Sequence, residues 1–262
     1  METLGDLLEK PLPLVAKWKK ANQVIIQKPE RKSTPIRTIS VVIPAHNEER
    51  YLRRTLDALK QQDYHWFEII VVANGCTDCT VEVAKGQCNR LITLSKKSLG
   101  VARNLGARLA KGELLLFLDA DTVLERGALR KIAEEFSRNH SAGTVKGRPD
   151  TERFKYRLLY GLKNFVHRFS LHCGSSGVIL CWKRQFIYMG GFDEGLEVRE
   201  NSELMGRLGR FGKYKYISHV SAMTSMRRYD QRGCGRMVWL WVKLWFRSIF
   251  GDLHNRHYET VR

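Results

Sequence analysis

Residues 114–121 read LLLFLDAD, five large apolar residues running straight into two carboxylates separated by one alanine. The run is too short to cross a bilayer and too apolar for a half-exposed strand. It reads as a strand buried on both faces, as in a parallel sheet. In open parallel α/β sheets the ligand crevice lies beyond the carboxyl ends of the strands, which is where Asp119 and Asp121 fall. Two carboxylates at this spacing on a turning backbone can face one hard cation, and magnesium or manganese prefers such oxygens. Capping of a following helix, helped by Thr122, explains the same residues equally well.

Upstream, 39–43 (ISVVI) and 68–72 (EIIVV) read as further buried strands. The helix expected between them, over 48–61, carries Leu52, Leu56 and Leu59 on one face. A helix at 78–85, a strand at 91–94 and a helix at 100–110 continue the alternation. The pattern argues for an α/β chain whose mostly parallel sheet has helices on both faces. Three strand ends carry polar signatures: Pro44-Ala45-His46-Asn47-Glu48, Ala73-Asn74-Gly75-Cys76-Thr77-Asp78, and the two aspartates. Ends of one parallel sheet point to one edge, so these segments can line a single crevice. Asn47 and Glu48 open a helix whose backbone N–H groups attract anions, although a plain N-cap accounts for Asn47 as well. Near the start of the 100–110 helix, Arg103 can approach a diphosphate, while Gly106 and Ala107 permit close helix packing.

Charge sets the class of partner. With 45 Lys+Arg against 27 Asp+Glu the chain carries +18, which favours nucleic acid, nucleotide phosphates or an acidic membrane surface. A nucleic-acid reading rests on charge alone, without a zinc-finger ligand set, an RNP-like aromatic signature or a clear helix-turn-helix. The six cysteines form no paired framework and the N-terminus has no secretory apolar region, so a reducing, cytoplasmic compartment is expected. The CxxC at 76–79 has no second pair to complete a zinc set and reads as a turn into a helix.

Taken in order, VVIPAHNEE, VVANGCTD, LGVARNLGARLAKGELLLFLDADT, Gly190-Gly191-Phe192-Asp193-Glu194 and Glu200-Asn201-Ser202-Glu203-Leu204 resemble the family 2 glycosyltransferases. These are inverting, sugar-nucleotide-dependent enzymes with the GT-A fold, a Rossmann-like sheet with helices on both faces. The resemblance covers roughly residues 39–225. It implies that Asp119 and Asp121 are the DXD motif, holding manganese or magnesium on the donor diphosphate, with Asp119 also contacting the nucleotide. Pro44, Ala45, Asn47 and Glu48 then match the first nucleotide-binding segment, and Arg103 and Asn104 the loop that approaches the donor. Gly191 and Asp193 fall on the acceptor side.

Two positions depart from the family pattern. An Asp-Asp pair usual after the second strand is here Ala73-Asn74, which leaves the base recognised near Asn74 open. The usual Glu-Asp, whose aspartate is the catalytic base, is Glu200-Asn201, and an amide cannot accept a proton from a sugar hydroxyl. Glu200 or Glu203 can serve instead, with Glu200 favoured because the two share one helix face. An already ionised acceptor such as a lipid phosphate needs no base. A third reading is a non-catalytic sugar-nucleotide or glycan-binding protein on the same fold.

The expected organisation is an N-terminal extension and basic linker over 1–38, a GT-A catalytic domain over 39–230, and an amphipathic C-terminal helix over 231–262. The run 237–250 (MVWLWVKLWFRSIF) is too short and too charged to span a membrane. Its tryptophans beside Lys243 and Arg247 suit a headgroup boundary, with packing on the catalytic domain as the alternative. Arg227 and Arg228 can bind the donor diphosphate or a lipid phosphate, and His219 is a candidate third metal ligand or a structural histidine. The basic, aromatic span 154–171 can border the same acceptor surface. The expectation is a metal-dependent, hexosyltransferase-type enzyme, peripheral on the cytoplasmic face of a membrane, acting on a glycan or lipid-linked acceptor.

Overall fold

The computed structural model describes residues 37–169, 174–175, 177–196, 200–236 and 239. The extension expected over 1–38, apart from Arg37 and Thr38, and nearly all of the helix expected over 231–262 lie outside the described residues.

Four strands build the first half: β1 (Ile39–Ala45), β2 (Phe67–Asn74), β3 (Arg90–Leu94) and β4 (Leu114–Leu118). They are mutually parallel, with β1 between β2 and β4. Every residue of β4 is buried, because alternate side chains enter different cores. Leu114, Leu116 and Leu118 join the cluster beneath helices α1 (Glu49–Lys60) and α4 (Ala128–Glu135). Leu115 and Phe117 join the one on the opposite face, beneath α3 (Leu99–Leu109), α6 (Lys183–Tyr188) and α7 (Glu200–Leu208). The continuous apolar run therefore reflects helices on both faces of the strand. The short α2 (Thr80–Ala84) joins β2 to β3.

The second half departs from the parallel pattern. Its strands are β5 (Thr122–Leu124), β6 (His140–Pro149), β7 (Val178–Trp182) and β8 (Lys213–Thr224), and its remaining helices α5 (Phe154–Arg168) and α8 (Arg227–Arg232). Strand order is β3-β2-β1-β4-β7-β6-β8-β5 in one eight-stranded sheet. β7 runs antiparallel to both β4 and β6, β6 and β8 are parallel, and β5 is antiparallel to β8.

This mixed half clamps the end of β4. The Asp119 amide donates to the Gly177 carbonyl at 3.0 Å, and the Ser225 amide donates to the Asp121 carbonyl at 3.2 Å. From the other face of the sheet, the Thr55 hydroxyl of α1 donates to the Ala120 carbonyl at 2.8 Å. Gly177 has φ +83, and a side-chain carbon there would stand 2.5 Å from the Thr122 hydroxyl, so only glycine fits beside the motif.

Candidate functional site

The site forms where β1, β2 and β4 end. The turn after β1 is held by side chains from the turn after β2. Asn47, in the left-handed region at φ 51, accepts from the Thr77 amide at 2.8 Å and donates to its hydroxyl at 3.0 Å. It does not cap α1; the amides of Glu48 and Glu49 donate instead to Thr80 Oγ1 (2.7 Å) and Asp78 Oδ2 (3.2 Å). Those helix-entry donors, expected to attract anions, are thus engaged within the protein. Asn74 likewise works on the scaffold, its carbonyl oxygen accepting from the Ser98 amide at 2.7 Å and fixing the entry to α3. Pro44 and Ala45 are buried at the end of β1. Cys76 and Cys79 are free thiols in the turn that leads to α2.

Two arginines organise the crevice. Arg103, on α3 and only 3% exposed, reaches three acceptors from two segments, the end of β4 and the start of α7. Its Nη2 lies 3.1 Å from Asp119 Oδ1, and its Nη1 lies 3.1 Å from Glu200 Oε1 and 2.8 Å from Asn201 Oδ1. The guanidinium sits 4.9 Å from the centre of the Phe192 ring. Because the Asn201 oxygen accepts from Arg103, its Nδ2 is free to donate to Ser175 Oγ at 3.0 Å. Neighbouring Asn104 fixes the loop that carries Phe192. It donates to the Phe192 carbonyl (2.9 Å) and Glu194 Oε1 (2.8 Å) and accepts from the Phe192 amide (2.8 Å).

The second arginine, Arg227, pairs with Glu48 Oε1 and lies 3.2 Å from Asp121 Oδ2, with its guanidinium 4.3 Å from the centre of the Tyr51 ring. Burial pushes the Glu48 carboxyl up to about 7 despite the bond from Arg227. Asp121 is also raised, first by burial and then by the neighbouring Asp119 charge. The Arg227 guanidinium is held above its ordinary range: burial acts to lower it, but Glu48 and Asp121 outweigh that. Exposed Arg228 adds favourable charge to both carboxylates.

Other expected site residues fall elsewhere. Glu203 is tied to Arg207, whose Nη2 lies 2.7 Å from Glu203 Oε2 and 2.7 Å from the Gly191 carbonyl. The pair braces α7 against the Gly190–Gly191 turn. Asp193 accepts from the Gly195 amide at 3.0 Å within its own loop. His219 is half exposed at a β8 irregularity, and its Nε2 pairs with Glu135 of α4. The structure brings Asp119, Asp121, Glu48, Arg103, Glu200, Asn201 and Arg227 together, and does not bring His219 or Glu203 to them.

Sequence reasoning missed Tyr51, Ser175 and the structural role of Asn74. Tyr51 lies one helical turn beyond Glu48, a spacing that could have flagged it. Ser175 carries no local signal.

Asp119 and Asp121 suit a divalent cation. Asp119 is 40% exposed, and the proton affinity of Asp121 is raised first by burial and then by the second carboxylate charge, which a cation would offset. Around them His46 Nδ1, Glu48 Oε2, Arg103 Nε and Arg227 Nε are buried without a hydrogen-bond partner. Among the described residues no cluster of three His, Cys, Asp or Glu side chains forms a complete protein cage, so other ligands to such a cation would come from substrate and water.

This arrangement, one mixed sheet between helices with the polar strand ends on one crevice, is the GT-A fold. The chain belongs to glycosyl transferase family 2, whose family model matches residues 40–189. It is similar to poly(ribitol-phosphate) beta-N-acetylglucosaminyltransferase TarS of Staphylococcus aureus, at 30% identity over 110 residues, 39% of this chain and 19% of TarS. It is also 30% identical over 131 residues to glycosyltransferase GlyA of Streptococcus pneumoniae, 47% of this chain and 19% of GlyA. The match thus spans about a fifth of each relative's length.

Among solved structures, S. aureus TarS 1-349 in complex with UDP-GlcNAc superposes with a TM-score of 0.59 at 22% identity, covering 72% of this chain and 58% of that one. Mannosyltransferase PcManGT from Pyrobaculum calidifontis, in complex with GDP-Man and Mn2+, gives 0.59 at 18% identity, covering 71% and 56%. These likenesses show the shared fold. Among the described residues no helix is long and apolar enough to cross a membrane.

Proposed function

We propose that this chain transfers a hexose from a UDP- or GDP-sugar to an acceptor, with inversion at the anomeric carbon. The observation that carries the reading is the buried Arg103 guanidinium, which joins the carboxyl end of β4 to the first turn of α7. Asp119 and Asp121 would hold a manganese or magnesium ion, which supplies charge neutralisation for the departing diphosphate. Arg227 and Arg228 add positive charge on the same side of the crevice.

Glu200 is the proposed general base for a hydroxyl acceptor. Of the two glutamates on α7 it is the one beside Asp119 and Arg103, while Glu203 is paired with Arg207. Asn201 holds Arg103 and Ser175 in place without exchanging protons. In the proposed reaction the acceptor hydroxyl gives its proton to Glu200 Oε as its oxygen attacks the anomeric carbon, and the nucleoside diphosphate departs with the bonding pair.

Calorimetry with UDP-, GDP- and dTDP-sugars, with and without manganese, tests donor binding. A metal-dependent hit that disappears in Asp121→Ala is expected; manganese-dependent affinity unchanged in that variant would overturn the metal assignment. Asn201 in place of an aspartate favours the second reading, donor binding without turnover. Tight donor binding with neither transfer nor donor hydrolysis across hydroxyl and phosphate acceptors would establish it.

A further inference from the structure

Helix α5 carries a side that the site does not use. Phe154, Leu158, Leu162, Phe165 and Phe169 are 78%, 63%, 62%, 54% and 57% exposed, five of the nine large apolar side chains exposed among the described residues. At 3.6 residues per turn they fall within an arc of about 80°. Tyr156, Tyr160 and His167, the buried residues of the helix, fall on the opposite side. Single exposed apolar residues are ordinary on a soluble surface; a stripe four turns long is an interaction face.

The charges around the stripe select its occupant. Lys155 flanks it on one side and Arg157 and Arg168 on the other, and the helix contains no acidic residue, Glu152 just before it pairing with Arg157 at 3.5 Å. A second copy of the chain would bring the same cations into opposition on a protein of net charge +18. The run 237–250 would add Lys243 and Arg247 and no carboxylate. Phe and Leu bordered by Lys and Arg on a helix lying flat match the boundary of an anionic bilayer, where apolar groups enter the acyl region and cations meet lipid phosphates.

We infer that α5 docks the protein on an anionic lipid surface through Phe154, Leu158, Leu162, Phe165 and Phe169. The inner side of the same helix faces the site. Tyr160 hydrogen-bonds Thr224 and lies in the electrostatic field of Asp119 and Asp121, and Lys163 donates to the Tyr229 hydroxyl of α8 at 2.8 Å. Lipid headgroups would then lie about one helix diameter, ~10 Å, from the crevice. The docking does not depend on transferase activity; the orientation it gives to a lipid-linked acceptor rests on the function proposed above.

Flotation of the full chain with phosphatidylcholine vesicles, with and without phosphatidylglycerol, tests the inference. Binding to the anionic vesicles is expected, falling about tenfold or more in the Leu158→Ser/Phe165→Ser variant while the thermal midpoint holds, since both side chains are already exposed. The Lys155→Glu/Arg168→Glu variant should lose the preference for phosphatidylglycerol. Undiminished binding by the serine variant would place the lipid contact elsewhere, for instance in 237–250, and would overturn the inference. So would absence of binding by the parent protein, or a lipid-free dimer that the serine variant converts to monomer. Donor calorimetry on the same samples separates the two readings: donor binding without vesicle binding leaves the proposed function standing, and the reverse leaves the docking standing.

Discussion

Arg103 is the residue on which the crevice depends most. Three acceptors at 2.8 to 3.1 Å need the forked guanidinium, which an ammonium cannot replace. Arg103→Ala would leave Glu200 buried without its cation, at a cost of roughly 3 kcal/mol measured as a lower urea midpoint at unchanged m-value. Arg103→Lys should recover part of that stability without recovering donor affinity, and full recovery of both would show that the fork is dispensable. Glu48 gives a pH signature. Its folded-state pKa of about 7 stands above the ordinary 4.5, so the folded protein holds the extra proton between those values. Stability therefore falls as pH rises through that window, by roughly 3 kcal/mol from this group. In metal-free buffer Glu48→Gln should gain on the parent protein from pH 4.5 to 7. Parallel stability curves would mean that the carboxyl is ionised throughout. Glu200→Gln should lower turnover on a hydroxyl acceptor by about 10²-fold or more with little change in donor affinity, whereas undiminished turnover would point to an acceptor already ionised.

At the scale of elements, the approach of α3 to β1 sets where Arg103 and Asn104 stand. A side-chain carbon on Gly106 would come within 2.4 Å of Val42 Cγ1, a contact neither rigid element can relieve by a small shift. Gly106→Ala gains about 1 kcal/mol in helix propensity yet should destabilise overall, because overpacking costs about 1 to 3 kcal/mol and lifts the helix from the strand. The double variant Gly106→Ala/Val42→Ala removes the obstructing methyls and should recover donor binding lost by the single variant. Failure of that rescue, measured by calorimetry, would mean that the register of α3 is set elsewhere. The 2.4 Å clearance from Asn104 Oδ1 at Gly191 constrains the facing loop in the same manner.

At the scale of the molecule, binding and stability are linked through the carboxylates gathered by the sheet. Manganese held as proposed would displace protons from Asp121, whose proton affinity burial and Asp119 raise, so metal affinity should increase with pH across the acidic range. Donor and manganese together at a hundred times the apparent dissociation constant should stabilise the folded chain by about 2.7 kcal/mol. At one fixed concentration of donor and manganese, the rise in thermal midpoint should be larger at pH 7.5 than at pH 5.5. A stabilisation independent of pH would separate metal binding from Asp121.

Local pattern sufficed for the parallel half of the fold. ISVVI, EIIVV and LLLFL are continuous apolar runs because both faces of these strands are covered, and their polar ends converge because parallel strands end on one edge. The same logic placed Asp119, Asp121, Glu48 and Arg103 at one crevice, and made Gly106 legible as a packing position. What local pattern could not supply was the pairing of distant segments. Antiparallel β7 inserts beside β4, α7 brings Glu200 and Asn201 to Arg103 across about a hundred residues, and Arg227 reaches back to Glu48. Nor could residue type separate Glu200 from Glu203, or His219 from a ligand, because each is decided by the neighbour it meets. Burial periodicity is a property of one segment, whereas a site is a property of several, and only the folded sheet determines which side chains share it.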